Sequence, residues 1–155
     1  MRIKDIIENK GADVQTIDGN ETIHDAISKL NQHGIGALVV TEGRDKVAGI
    51  ITERDILHEC GQRCLALKQP SQLTETGCPS LVRDVMTKEV IIGLLDDELD
   101  YVMAMMTNNR VRHLPVMDAD KLVGIISMGD VVNTHVQEAE HENRLLKDYI
   151  HGVTH

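Results

Sequence analysis

The chain has 155 residues, 41% hydrophobic and 26% charged, with a formal net charge of −9, which suits one ordinary domain or two small halves sharing a core. So acidic a surface repels phosphate backbones and anionic lipids, making nucleic acid and membranes poor partners. With two Tyr, no Phe and no Trp, the core must be aliphatic, and a ligand ring would be gripped by aliphatic side chains and backbone rather than by stacking.

A short apolar piece, "IKDII" (3–7), comes first. "DVQTI" (13–17) alternates and predicts a strand. Ile23, Ala26, Ile27 and Leu30 recur at helical spacing over 22–33, and Gly34 ends that helix. "ALVVT" (37–41) and "KVAGIIT" (46–52) predict two strands around a turn containing Gly43 and Asp45, and a helix begins at Glu53. Residues 66–80, "ALKQPSQLTETGCPS", carry two of the three Pro and read as a linker. Then "VRDVM" (82–86) repeats the opening piece. A strand at 90–92, a helix at 98–109, strands at 113–117 and 121–127 and a helix from 128 complete the order. The tail is a charged continuation of that last helix.

The second series copies the first. "GIITERDIL" (49–57) returns as "GIISMGDVV" (124–132), and "IGALVV" (35–40) falls on "VRHLPV" (111–116), a period of about 76 residues. That is too long for a solenoid repeat and suits two copies of a small β-α-β-β-α domain. The expected division is 1–65, a linker at 66–80, 81–135, and a helical tail at 136–155.

A hydroxyl residue followed three positions later by an acid is also a helix-start signature, in which the hydroxyl caps and the acid favours the helix dipole. Two features favour a further role. The acid is Asp in both copies (Asp55, Asp130), and the whole string recurs at one place in a repeat. A strand running straight into a helix presents free N–H groups that attract anions. A carboxylate one turn in can accept two hydrogen bonds from a vicinal diol, and Thr52 can reach a sugar or phosphate oxygen.

Carried by "GIITERDIL", "GIISMGDVV", "VRHLPV" and the "VRDVM" lead-in, the chain resembles tandem cystathionine-β-synthase-type (CBS) domains, the pair called a Bateman module. The resemblance runs from about residue 1 to residue 135. It implies an α+β fold of two β-α-β-β-α repeats packed sheet to sheet about a pseudo-twofold axis. It also implies clefts for adenosine-containing ligands: AMP, ADP, ATP, NAD or S-adenosylmethionine. By position, Thr52 and Asp55 would hold the ribose of a first site, with Thr16, Ile17 and Ala37 near the base. Arg112 and His113 would face its phosphates, helped by Arg54. A second site would use Ser127 and Asp130, with Val90, Ile91 and Leu114 near the base. There Gly36, Ala37 and Gly129 stand where the first site has Arg112, His113 and Arg54, so the second site is expected to be weak or empty.

His58, Cys60 and Cys64 fall within two helical turns, and Cys60 and Cys64 share a face. A metal or redox sensor is one alternative; ordinary cysteines on a helix are the plainer one, and no metal is expected. Met103, Met105 and Met106 line the second copy's first helix, where CBS modules meet, so a homodimer is expected. Val132, Val136, Leu145, Leu146, Tyr149 and Ile150 would form an amphipathic arm. No catalytic motif is visible, so the expectation is a regulatory binding module, not an enzyme, with a protein target the sequence does not name. The other alternative is an unrecognised activity on the bound nucleotide. No stretch approaches a membrane span, "MRIKDIIENK" lacks the apolar core of a secretory signal, and three Cys in a chain of this size suit a reducing cytoplasm.

Overall fold

The computed structural model describes residues 1–43, 46–66 and 79–152. Asp45 and nearly all of the expected linker lie outside them. The elements are α1 (Ile3–Lys10), β1 (Thr16–Asp18), α2 (Ile23–His33), β2 (Ala37–Glu42), β3 (Lys46–Thr52), α3 (Glu53–Ala66), α4 (Val82–Val85), β4 (Gly93–Leu94), α5 (Leu99–Asn109), β5 (His113–Asp118), β6 (Lys121–Ser127) and α6 (Met128–Gly152). They form two mixed three-stranded sheets, β1-β2-β3 and β4-β5-β6. In each, the first strand pairs parallel with the second, and the second pairs antiparallel with the third. Both hairpins shift register at one place, between Val40 and Thr41 and between Val116 and Met117.

The compact units are Val14–Ile91 and, together, Met1–Asp13 with Ile92–His155. They differ from the division at 1–65 and 81–135 because each lead-in helix packs on the repeat that is not its own. Ile3 N–H donates to Asp97 O at 3.0 Å, Lys4 N–H to Leu95 O at 2.9 Å and Leu99 N–H to Met1 O at 3.1 Å. The first repeat duplicates this with α4: Val82 N–H to Glu21 O at 2.9 Å, Arg83 N–H to Gly19 O at 3.0 Å and Ile23 N–H to Ser80 O at 3.1 Å. Sequence spacing places the lead-ins correctly but carries no sign of which sheet they cover.

Each core is aliphatic. Ile17, Ile23, Leu38, Ile51 and Val82 are buried in one unit. Ile3, Val102, Met106, Leu114, Ile126 and Val131 are fully buried in the other. The lead-ins explain the glycine that opens each nine-residue string. A Cβ on Gly49 would lie 2.6 Å from Met86 Sδ and 2.8 Å from Thr87 O, and a Cβ on Gly124 would collide with Ile7 Cδ1.

The strand expected at 90–92 begins instead at Gly93. Proline is the reason. In the first repeat Val39 N–H donates to Gln15 O at 3.3 Å and starts the parallel ladder. The matching residue is Pro115, which has no N–H to give, so the second ladder opens later, at Gly93↔Val116.

Another asymmetry sits at the ends of α2 and α5. Gly34 closes α2 in the left-handed region at φ 61°, and Arg110 closes α5 there at φ 55°. A side chain is strained in that conformation and glycine is not. Arg110→Gly should therefore raise stability by about 0.5–1 kcal/mol, read as a higher urea midpoint with an unchanged slope.

Candidate functional site

Both strand-to-helix corners form as expected, and their internal bonds are nearly identical. At the first, Asp55 Oδ2 accepts from Thr52 N–H at 3.0 Å and from Thr52 Oγ1 at 3.1 Å, while Asp55 N–H donates to Thr52 Oγ1 at 3.3 Å. At the second, Asp130 Oδ2 accepts from Ser127 N–H at 2.7 Å and Ser127 Oγ at 2.9 Å, and Asp130 N–H donates back at 3.1 Å. The helix start of α2 makes the same set, with Thr22 N–H and Oγ1 on Asp25 Oδ2 at 2.9 and 2.8 Å and Asp25 N–H on Thr22 Oγ1 at 3.2 Å. The bonds inside the box are thus those of any helix start of this kind. What distinguishes the corners is where they stand, at the end of a strand, and what reaches the carboxylate from outside.

At the first corner the outside group is a hydroxyl. Thr87 Oγ1 donates to Asp55 Oδ1 at 3.3 Å. The residue lies just past α4, where the chain turns extended at Met86 and pairs with Ile50 through bonds of 2.9 and 3.0 Å. Thr52 and Asp55 are half-buried and Arg54 is exposed. Ala37 stands directly across from Thr52, and Thr16 lies one strand further, opposite Val39. Ile17 and Ala37 are buried, so toward a base they present backbone rather than side chain.

At the second corner the outside group is a cation. Lys10 Nζ sits 2.6 Å from Asp130 Oδ2 and 3.3 Å from Ile125 O, with side-chain exposures of 42% for Lys10 and 26% for Asp130. Burial alone would raise the Asp130 pKa. The Lys10 ammonium and the Ser127 bonds outweigh it and hold the carboxyl below its ordinary value. Sequence reasoning missed this cation, expecting a corner with little positive charge. Lys10 arrives because α1 packs on the second repeat and runs two turns, whereas α4 stops after one.

Arg112 is exposed and His113 half-buried at the start of β5. Within their own unit they flank the second corner: His113 stands opposite Ser127, and Met128 N–H donates to Arg112 O at 2.8 Å. The register moves the second set of base-side positions. Val40 and Val116 match in the repeat, so the residues at the register positions of Thr16 and Ile17 in the second copy are Ile92 and Gly93, two positions beyond the expected Val90 and Ile91. Val90 and Ile91 fall in the unit Val14–Ile91, before β4. The match to Ala37 is His113, and Leu114 is fully buried against Gly93.

Asp25, Glu59, Asp96 and Asp130 all have pKa values below the ordinary 3.8 for Asp and 4.5 for Glu. The main causes are the Thr22 backbone bond for Asp25, the Ser80 hydroxyl for Glu59 and Lys4 for Asp96. A depressed folded value gives stability that is complete above the unfolded pKa and is lost as pH falls through the folded one. Urea midpoints should therefore fall as the pH drops below about 4, and fall less in Lys10→Met, which lacks the ammonium that lowers Asp130.

Cys60 is half-buried against the first core; the Cys64 side chain and Cys78 lie outside the described residues. Among the described residues no group of three or more His, Cys, Asp and Glu is placed to hold a metal ion. None of the described helices is long and apolar enough to cross a membrane. Met106 is a core residue, which leaves Met103 and Met105 half-buried on α5.

The CBS-domain family model matches residues 3–61 and 82–136. The chain belongs to the CBS-domain family. Its two matches are the two copies read from the sequence, each with its lead-in. The CBS-domain-containing protein CBSX3, mitochondrial, of Arabidopsis thaliana is 35% identical over 161 aligned positions, covering 97% of this chain and 72% of that protein. A CBS-domain-containing protein from Agrobacterium tumefaciens, solved by crystallography, is 36% identical and superposes with a TM-score of 0.77 over 86% of this chain and 92% of its own. The CBS domain pair of protein MJ0100 is 25% identical, with a TM-score of 0.70 over 89% of this chain and 98% of its own, and was crystallised with 5′-methylthioadenosine and S-adenosyl-L-methionine.

Proposed function

We infer that this CBS pair is a regulatory module that binds an adenine nucleotide, with Thr52 and Asp55 holding the ribose. The observation that carries the reading is the difference between the corners. Among the described residues the donors to Asp55 are hydroxyl and amide groups, with Oδ1 held by one 3.3 Å bond from Thr87 Oγ1, so its negative charge is left to a ligand. The charge of Asp130, in contrast, is met by the Lys10 ammonium at 2.6 Å. A diol at the first corner exchanges with one long bond from Thr87, whereas at the second it meets a carboxylate already paired with Lys10. Support for the ligand class comes from MJ0100, whose bound molecules both contain adenosine. Backbone near Thr16, Ile17 and Ala37 suits an adenine edge, and the exposed Arg54, in the first turn of α3, suits a phosphate. That cation favours AMP, ADP, ATP or NAD over S-adenosylmethionine. The signal passes to a protein target through a change of shape, which requires the ligand to bind one of two states more tightly.

Equilibrium dialysis of the purified chain against AMP, ADP, ATP, NAD and S-adenosylmethionine tests the reading. Saturable uptake of a nucleotide at one site per chain supports it. No uptake of any of the five at millimolar concentration refutes it.

A further inference from the structure

We propose that α6 pairs with α6 of a second copy of this chain as a parallel, in-register coiled coil. The base of α6 is tied to its own unit: Val131 is buried, and Met1 N donates to Glu138 Oε1 at 3.3 Å. Beyond that, every described residue from Ala139 to Gly152 is exposed. A free helical stretch of about this length is marginal in water, so packing is expected to supply its stability. A 25-residue helix spans about 37 Å, long enough to carry a seam.

The seam is written in the spacing. Val132, Val136, Ala139, Asn143, Leu146 and Ile150 follow one another at steps of 4, 3, 4, 3 and 4. They lie on one stripe, about 100° round the helix from Val131. All six are exposed, Leu146 at 63% and Ile150 at 65%. In heptad terms Val136, Asn143 and Ile150 take the a positions, and Val132, Ala139 and Leu146 the d positions. β-Branched Val136 and Ile150 at a, Leu146 at one of the three d positions and the single Asn143 at a favour two parallel strands. In that arrangement Asn143 faces its own copy and the two amides pair. In an antiparallel pair each would face an apolar d residue and go unbonded.

Charge points the same way. A parallel pair sets each g residue against the e residue five positions on in the partner helix. Here Glu142 (g) meets Lys147 (e) of the second copy, an attractive pair made twice across the twofold. Both side chains are exposed. The inference does not depend on the nucleotide reading, and either can fail without the other.

Sedimentation equilibrium of the full chain tests it, with thermal melts confirming that every variant is folded. A dimer is expected at micromolar concentration. Leu146→Glu, at a position exposed in its own unit, should weaken it by about 100-fold. Glu142→Lys or Lys147→Glu alone should weaken it several-fold, and the two together should restore it, because the double reversal recreates opposite charges only across a parallel pair. A monomer, a dimer indifferent to Leu146→Glu, or a double reversal that fails to recover would overturn the proposal.

Discussion

Gly49→Val lowers the stability of the protein by about 2–3 kcal/mol, read as a fall in the urea midpoint. The expectation runs against local propensity, since valine favours a strand over glycine. The neighbours decide the sign. A Cβ at 49 falls 2.6 Å from Met86 Sδ and 2.8 Å from Thr87 O. Methionine can bend away, but Thr87 O is fixed by its 3.0 Å bond from Ile50 N–H. The added side chain must therefore lift the α4 segment from the sheet. The nearest atoms to a Cβ at 124 all belong to the Ile7 side chain, with its Cδ1 end closest, and none is backbone, so the loss in Gly124→Val is smaller, and Ile7→Ala in the same molecule recovers part of it. A gain in stability from Gly49→Val would mean that α4 does not dock on β3.

Asp55→Ala weakens binding of an adenine nucleotide by about 10- to 150-fold, the worth of hydrogen bonds to a charged group. Asp130→Ala leaves it within about twofold. The first substitution also removes a helix cap, which by itself costs about 1 kcal/mol of stability, so weaker binding could reflect a looser fold. Asp25→Ala separates the two effects. It breaks the same three-bond box in the same unit, at a helix start with no proposed ligand. Both variants should melt earlier, and only Asp55→Ala should lose the nucleotide. Lys10→Met adds a further contrast. It frees Asp130 from its ammonium, and a second, weaker uptake step should then appear.

The repeat and its element order were legible because periodicity and turn residues are local signals. The strand KVAGIIT and the helix from Glu53 stand where expected. The displaced start of β4 was legible in principle: a proline at 115, where the first copy has a valine at 39, announces one missing ladder bond. Two features were not legible. Which sheet a lead-in covers depends on contacts between residues some 90 positions apart, such as Ile3 with Asp97. Lys10 beside Asp130, 120 positions away, follows only from that exchange of lead-ins and from the extra turn of α1. The boxes at 52–55 and 127–130 were legible as chemistry but not as function, since 22–25 carries the same bonds without the strand behind it.

Calorimetric titration of the tightest-binding nucleotide into the unmodified chain, Asp25→Ala and Asp55→Ala tests the central claim most directly. The account predicts one strong site in the first two proteins and at least a tenfold weaker one in the third. Equal affinity in all three, or equal loss in both variants, would show that the carboxylate at 55 only caps a helix.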